Sequence, residues 1–263
     1  MSTFNQISRP ADHPLVSLEV FDGPIGQITL ADAKRRNALR IELSLDLEAA
    51  VNEALSLGVR AIILAATPPV FCSGGDLDDL VSPRATLNDI ARGANALISA
   101  PVPTIAVVDG PVIGAGINLV LACDVLLCTA EATFDPRLLD LGVHPGGGQL
   151  RNLALRIGRQ GAVALSLLGD RLTGAEAAEF GLAWRCLPAD EAHRLALRFA
   201  QRAASRPPEA MQRAKHTLDA TVGLDHEQAA QIELVEQQWS MEQPWITERV
   251  ANLRQQLANR TND

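Results

Sequence analysis

Three runs of apolar residues in the first half of the chain have the length of buried β-strands. They occupy positions 60–66, 104–108 and 124–128, and segments with apolar residues at helical spacing separate them. Two shorter strands are predicted before them, at 15–21 and 25–30. Continuous apolar runs are typical of parallel strands, which are covered on both faces and need a crossover helix between neighbours. The pattern predicts an α/β core with largely parallel strand pairing.

The second half of the chain differs, because apolar residues at helical spacing continue from Gly146 almost to the end. Predicted helices occupy positions 149–157, 160–168, 173–180, 190–205, 207–222 and 226–259. We expect this part to be entirely helical. The sequence therefore predicts an α/β core at residues 1–190 and a C-terminal helical segment at residues 191–263.

Composition excludes several classes of function. The chain of 263 residues is 47% hydrophobic, enough for a core without disulfides or metals. It contains no Tyr, which removes tyrosine as a catalytic acid or base. Acidic residues (31) exceed basic ones (23), and the formal net charge of -8 argues against a nucleic-acid partner. No His or Cys spacing is typical of a metal site, so none is expected.

The expected compartment is the cytoplasm. The four cysteines show no C-x-x-C spacing, which favours reduced, mostly buried thiols. The first residues do not have the charged and then apolar pattern of a signal peptide, and the apolar stretch at 119–127 is too short to span a membrane. We therefore expect no membrane partner.

Two glycine-containing turns each follow a predicted buried strand and precede a helix. They contain Gly74 and Gly75 in the first case, and Gly114, Ala115 and Gly116 in the second. Such turns leave backbone N–H groups free at the positive end of a helix. Two of these donors together could stabilise the oxyanion of a thioester enolate. The plainer interpretation is that the glycines only permit tight turns.

The combination of motifs resembles the crotonase (enoyl-CoA hydratase/isomerase) superfamily. The likeness runs from about residue 15 to residue 254, in the order and spacing of that family. Residues 71–77 (Phe-Cys-Ser-Gly-Gly-Asp-Leu) are similar to its first oxyanion-hole motif. The second such motif, the third glycine block and a helix-and-turn segment are matched at 109–119, 141–148 and 172–177.

This resemblance implies both an architecture and a chemistry. The fold would be a crotonase-like spiral of ββα units, with the segment 191–263 serving trimerisation or covering the site. The protein would assemble as a homotrimer or a dimer of trimers. The substrate would be an acyl-CoA of fatty acid metabolism, with coenzyme A as part of the thioester rather than a tightly bound cofactor. The backbone N–H groups of Gly75 and Ala115 would hold the thioester carbonyl.

The resemblance also implies which residues contact CoA: Lys34, Arg35, Arg36, Ala38, Ser73, Asp76 and Leu77. The three basic side chains could pair with the CoA phosphates although the whole chain is acidic. Each could instead belong to a solvated surface. Asp76 is independently expected to cap the helix that follows it.

Both catalytic glutamates of the family are missing. The first glutamate position falls on Asn118 and the second on Leu138. Asparagine can hold a water molecule but cannot take its proton, and leucine can do neither. His144 and Asp140 are the nearby candidates for the proton carrier. Either could be purely structural, and Asp135 could cap the turn after it.

Two hypotheses of different classes remain open. The first is an enzyme of the hydratase/isomerase type, a lyase or isomerase whose single base suits isomerisation, decarboxylation or retro-Claisen cleavage better than hydration. The alternative is a non-catalytic acyl-CoA-binding or carrier protein of the same fold. Dinucleotide binding is disfavoured because Leu119 stands at the third glycine position. A serine hydrolase built on Ser73 would lack the G-x-S-x-G elbow.

Overall fold

Residues 14–260 are described by a computed structural model, and within them nine strands form two sheets. In chain order the strands are β1 (Val16–Phe21), β2 (Ile25–Leu30), β3 (Ala61–Ala66), β4 (Thr104–Val108), β5 (Pro111–Ile113), β6 (Val125–Cys128), β7 (Thr133–Asp135), β8 (Leu172–Thr173) and β9 (Arg185–Cys186). The larger sheet has the order β1-β2-β3-β4-β6-β9, and all neighbours except β1 and β2 run parallel. Every residue of β3 and β4 is buried, as their apolar sequences predict. The predicted parallel α/β core is confirmed.

The smaller sheet has the order β5-β7-β8, and its two parallel strands each follow a strand of the larger sheet. The chain passes from β4 into β5 and from β6 into β7. After β3 it reaches Cys72, which forms a parallel bridge to Val112 of β5. Segments that follow consecutive central strands are therefore neighbours at the smaller sheet. As a result, the two glycine turns lie side by side.

The described residues also form eleven α-helices. In chain order they are α1 (Ile41–Ser56), α2 (Leu77–Val81), α3 (Leu87–Ile90), α4 (Arg92–Ser99), α5 (Ile117–Leu121), α6 (Gln149–Ser166), α7 (Gly174–Glu179), α8 (Ala189–Ala204), α9 (Pro208–Thr221), α10 (His226–Met241) and α11 (Trp245–Arg260). Short 3-10 helices lie at Ala33–Arg35, Gly114–Gly116 and Arg137–Leu141. No helix in this part of the chain is both long and apolar enough to cross a bilayer.

Several predicted elements differ from the structure. The expectation that everything after Gly146 is helical is wrong, because β8 and β9 add short strands to the two sheets. Strands of two residues are too short to show an alternating pattern in the sequence. The predicted helix at 226–259 is broken before Pro244, whose ring removes a backbone donor. The predicted break between 149–157 and 160–168 is present, since Gly158 has a non-helical backbone (φ 71, ψ 169) within α6.

The chain divides into two compact units between Ala204 and Ser205, whereas the boundary predicted from the sequence lies at 190/191. The difference is α8, which packs against β3, β4 and β6 of the first unit. All of its alanines after Ala189, together with Leu195, are buried, so this helix completes the core.

The second unit consists of α9, α10 and α11, and α9 packs on α10. The Arg213 guanidinium lies 4.0 Å from the centre of the Trp239 ring and also pairs with Glu236 at 3.0 Å. Trp239 meets Trp245 edge to face, with ring centres 5.9 Å apart. Most apolar side chains of this unit are nevertheless exposed.

Candidate functional site

The first glycine turn is held by a parallel bridge between Leu39 and Gly75. The Leu39 N–H donates to the Gly74 carbonyl at 2.7 Å, and the Leu39 carbonyl accepts from the Asp76 N–H at 3.0 Å. Gly75 lies between these two partners, and in a parallel bridge such a residue directs its own N–H and C=O away from the neighbouring segment. The Gly75 N–H therefore faces away from Leu39.

The second glycine turn lies directly against the first. Gly74 has φ +91, and a Cβ there would stand 2.8 Å from the Ile113 carbonyl oxygen and 3.6 Å from the Ala115 nitrogen. Only glycine fits this backbone and this gap. Ala115 lies in the first turn of a 3-10 helix, where an N–H has no carbonyl one turn earlier to donate to. The fold thus brings the Gly75 and Ala115 turns together. In each turn one backbone N–H is not used in the hydrogen bonds of its own bridge or helix.

Leu138 and Asn118, the positions at which the resemblance places the family's glutamates, lie around the second turn. The Leu138 Cδ2 is 3.6 Å from the point where a Cβ on Gly114 would stand. The Asn118 Nδ2 donates to the Gly146 carbonyl at 3.1 Å, and its Oδ1 is buried with no hydrogen-bond partner in residues 14–260. Leu138 therefore contributes a methyl group near this turn, and Asn118 contributes an amide.

His144 and Asp140 are both exposed near the third glycine block. The His144 Nδ1 lies 2.8 Å from the Pro145 carbonyl oxygen. Because a carbonyl oxygen only accepts, Nδ1 carries the proton, and the Nε2 of a neutral ring keeps its lone pair. Asp140 lies in the 3-10 helix Arg137–Leu141, and its charge contributes to the raised pKa of Arg137.

Asp135 does not cap this 3-10 helix, contrary to one sequence interpretation. The residue at the cap position is Pro136, which makes no side-chain capping bond. The Asp135 carboxylate instead forms an ion pair with Arg137. Their hydrogen bond is the main reason that the pKa of the Arg137 guanidinium is raised. Asp135 is therefore engaged with a cation.

The basic run lies beside the first glycine motif. Lys34, Arg35 and Arg36 are exposed, and the Arg36 backbone has φ +53. The Arg36 carbonyl accepts from the Ser73 N–H at 3.1 Å, and the Arg35 guanidinium pairs with the Asp76 carboxylate at 3.0 Å. Two segments that are more than 35 residues apart in the chain thus form one surface.

The other predicted CoA-contacting residues have varied surroundings. Ala38 is buried, whereas Leu77 is 67% exposed. Ser73 is half-buried, with its hydroxyl 3.5 Å from the Arg35 carbonyl oxygen. The Asp76 side chain accepts from the Asp78 N–H at 3.0 Å and caps α2, as predicted.

Asn37 has a role that the sequence interpretation missed. Its side chain is fully buried, its backbone has φ +52, and its Nδ2 donates to the Val70 carbonyl at 2.9 Å. It therefore ties the loop that carries the basic run to the start of the first glycine motif. The only local signal was that asparagine tolerates a left-handed backbone better than most residues.

Charge and burial set the titration of two groups near the first motif. Burial raises the pKa of the Cys72 thiol to about 12, so this side chain remains protonated. The Asp79 pKa is lowered by its hydrogen bond with Arg84, which also pairs with Glu42 at 2.7 Å. Neither Cys72 nor this surface cluster offers a base near neutral pH.

The comparison with known proteins extends over most of the chain. A model of the enoyl-CoA hydratase/isomerase family matches residues 21–244. The "Probable enoyl-CoA hydratase EchA14" of Mycobacterium tuberculosis H37Rv is 36% identical over 244 residues, which cover 88% of this chain and 94% of that protein. The 2,3-dehydroadipyl-CoA hydratase of Escherichia coli K12 is 32% identical over 185 residues, 69% of this chain and 71% of that protein.

Solved structures give the same result. Enoyl-CoA hydratase subunit I from Geobacillus kaustophilus HTA426 superposes with a TM-score of 0.84 at 25% identity, covering 94% of this chain and 97% of that one. A protein from Thermobifida fusca YX, solved in complex with acetoacetyl-CoA, superposes with a TM-score of 0.78 at 25% identity over 86% of this chain and 94% of that one. The architecture is therefore the crotonase fold with a C-terminal helical region, and the chain belongs to the enoyl-CoA hydratase/isomerase family.

Proposed function

We propose that the protein processes an acyl-CoA by stabilising its thioester enolate between the N–H groups of Gly75 and Ala115. The observation that carries this proposal is the contact between the two glycine turns, where the Ala115 nitrogen lies 3.6 Å from a Cβ position on Gly74. Two preorganised backbone donors can stabilise a developing oxyanion by several kcal/mol. The relatives named for enoyl-CoA hydration and the neighbour solved with acetoacetyl-CoA support a thioester ligand.

The CoA moiety would lie over the surface formed by the basic run and the first motif. Lys34 and Arg36 form no ion pair within residues 14–260, so their charges remain available for phosphates. Arg35 is already paired with Asp76. It would hold the first glycine turn in place and also add positive charge to this surface. Ala38, Ser73 and Leu77 would complete the contacts around the nucleotide and pantetheine.

We assign the proton transfer to His144 in preference to Asp140. The Nδ1–H bond to the Pro145 carbonyl fixes the tautomer and leaves Nε2 as an acceptor. One base is sufficient for double-bond isomerisation and for cleavage that leaves an enolate. Hydration needs both a base and an acid around one water molecule, and Asn118 and Leu138 do not provide such a pair.

A second candidate function is acyl-CoA binding without turnover. The observation that favours it is the same pair of residues, since the Asn118 donor is used on the Gly146 carbonyl and Leu138 carries no polar atom. Incubation with 2-enoyl-, 3-enoyl- and β-ketoacyl-CoA panels, beside calorimetric binding of the same thioesters, separates the two functions. Turnover of any panel supports the enzyme. Tight binding with no turnover supports the carrier, and no binding overturns both.

The assembly would be a homotrimer or a dimer of trimers, formed in the cytoplasm. In the second unit only Thr217 and Thr221 are buried within the described residues. Large apolar side chains of α9 to α11 and their connecting turns are exposed, namely Leu218, Val222, Leu224, Ile232, Leu234, Val235, Met241, Val250, Leu253 and Leu257. Apolar surface of this extent is typical of an interface. Light scattering after gel filtration should give three or six chains, and a monomer would contradict the assembly.

A further inference from the structure

The buried side chain of Gln149 uses its donor on one backbone carbonyl and leaves its own acceptor without a partner in residues 14–260. Gln149 is the first residue of α6 and is 1% exposed. Its Nε2 donates to the Gly114 carbonyl oxygen at 3.0 Å in a buried contact. Its Oε1 is buried and has no partner among residues 14–260. An amide that leaves its acceptor unpaired while donating to one particular carbonyl indicates that this donation matters.

The Gly114 carbonyl belongs to the same peptide group as the Ala115 N–H. A trans peptide is planar, so its C=O and N–H point in opposite directions. Fixing the Gly114 oxygen on Gln149 therefore fixes the direction in which the Ala115 N–H points. It also polarises the peptide, because a hydrogen bond accepted by the carbonyl strengthens the donation by the N–H.

The Gly114 carbonyl also accepts from the Ile117 N–H within the 3-10 helix, so Gln149 supplies a second donor to the same oxygen. This anchoring matters because the first residue of the peptide is glycine. Gly114 has φ +52, and a glycine reaches both positive and negative φ at little cost. Local sterics alone therefore do not set the orientation of the 114–115 peptide. An apolar group also lies beside this glycine, since the Leu138 Cδ2 is 3.6 Å from the Cβ position on Gly114.

We infer that Gln149 is a positioning residue for the oxyanion hole: it orients and polarises the 114–115 peptide so that the Ala115 N–H donates to the thioester oxygen of a bound acyl-CoA. The inference rests on the proposed function of Gly75 and Ala115. It adds a residue that directly follows the third glycine block, outside the two motifs that supply the donors. Gln149 does not touch the substrate in this role, and its effect passes through one peptide group.

The test replaces Gln149 with methionine, which keeps the length and removes the donor. Acetoacetyl-CoA is the probe, because its enolate absorbs in the ultraviolet and carries the charge that the hole would stabilise. We expect enolate affinity to fall about tenfold, less than the 100-fold or more typical of losing an oxyanion donor itself. We also expect the Ala115 amide in the ligand-free protein to exchange faster with solvent by NMR, with Gly75 unchanged.

Two further variants keep the result interpretable. Gln149→Glu donates only while its carboxyl is protonated, so it should behave like wild type at low pH and like Gln149→Met at high pH. Thr104→Val removes two partly buried hydrogen bonds with Asp124 in the same unit and should change stability without changing the Ala115 amide. A wild type that binds no acyl-CoA overturns the proposed function. The role of Gln149 is overturned if the wild type binds acyl-CoA and Gln149→Met has the same enolate affinity and the same Ala115 amide exchange rate as the wild type.

Discussion

The Asn118 side chain donates its Nδ2–H to the Gly146 carbonyl oxygen at 3.1 Å, which joins α5 to the third glycine block. Gly147 packs so closely on this amide that a Cβ there would stand 2.8 Å from Nδ2. Asn118, where the resemblance places the family's first glutamate, therefore uses its donor to hold the backbone. This explains why a carboxylate would be unsuitable there, since two acceptors would face each other.

The first prediction is that Asn118→Asp destabilises the protein in a pH-dependent way. An ionised carboxylate cannot donate to the exposed Gly146 carbonyl, so the hydrogen bond is lost, which we expect to cost about 0.5–1.5 kcal/mol near neutral pH. A protonated carboxyl can donate, so the loss should shrink as the pH falls. Urea unfolding at several pH values measures this, with Asn118→Ala as the pH-independent control. Equal losses in both variants at every pH would contradict the assignment.

The second prediction concerns Leu138, which lies against Gly114. Leu138→Glu places a carboxyl beside the second glycine turn and should raise hydration of a short 2-enoyl-CoA by about 100-fold, the lower range of acid–base catalysis. Leu138→Gln has the same size without a titrating proton and should give no increase. Stopped-flow or steady-state absorbance of the enoyl thioester follows the rate. Equal rates in all three proteins would show that a proton carrier at 138 is not what hydration lacks.

The third prediction separates His144 from Asp140. His144→Ala should lower turnover of an isomerised or cleaved acyl-CoA by about 100-fold or more while leaving its dissociation constant within about threefold. Asp140→Asn should change the rate by less than about threefold, because that carboxylate lies on an exposed 3-10 helix next to Arg137. Parallel kinetics and calorimetry give both quantities. The reverse ranking would move the base to Asp140.

The fourth prediction tests the basic run. Arg36→Gln and Lys34→Gln should each weaken CoA thioester binding about three- to tenfold and reduce its dependence on salt, because phosphate contacts are screened by ions. Neither change should affect binding of an acyl-pantetheine, which lacks the nucleotide. Arg194→Gln on α8 removes the same charge elsewhere and serves as the control. If Arg36→Gln and Lys34→Gln weaken acyl-pantetheine binding as much as CoA thioester binding, the CoA phosphates lie on another surface.

The fifth prediction concerns the cluster of Glu42, Asp79 and Arg84. Burial raises the pKa of Glu42, but its hydrogen bond with Arg84 and other charges outweigh this, and the pKa values of Glu42 and Asp79 are both lowered. Carboxyls with lowered pKa values stabilise the fold above their ordinary range, and this contribution is lost as the pH falls through the lowered values. Arg84→Gln should therefore lower Tm by no more than about 3 °C at pH 7.

Melting curves of wild type and Arg84→Gln at decreasing pH check the sign. The difference between them should disappear once both carboxyls are protonated, and added salt should shrink it at pH 7. A difference that grows on acidification would mean that Arg84 stabilises the protein by packing rather than by charge.

Local sequence patterns were sufficient for much of the fold. The apolar runs at β3 and β4 predicted buried parallel strands, because strands covered on both faces have no polar side. Thr173 and Glu176 have the spacing typical of a capping box, and they form one at the start of α7. The break of α6 at Gly158 was also predicted, since a glycine reaches backbone conformations that interrupt a helix.

The candidate site was predictable only in part. The two glycine turns were found because each carries its own signal, a strand followed by a glycine and a helix. Asn37 and Gln149 were not singled out, because their importance lies in the carbonyl that each reaches, on Val70 and Gly114. No local pattern encodes a hydrogen bond over 33 or 35 residues.

The sequence by itself thus determined the longer strands and most of the longer helices, and which turns leave backbone donors free, since these depend on neighbours within a few residues. Only the tertiary structure decided that Gly74 packs on Ile113, that α8 completes the first unit, and that Gln149 holds the peptide before Ala115. Those relationships depend on how parallel strands align in the sheet, and that alignment is set by packing of the whole core.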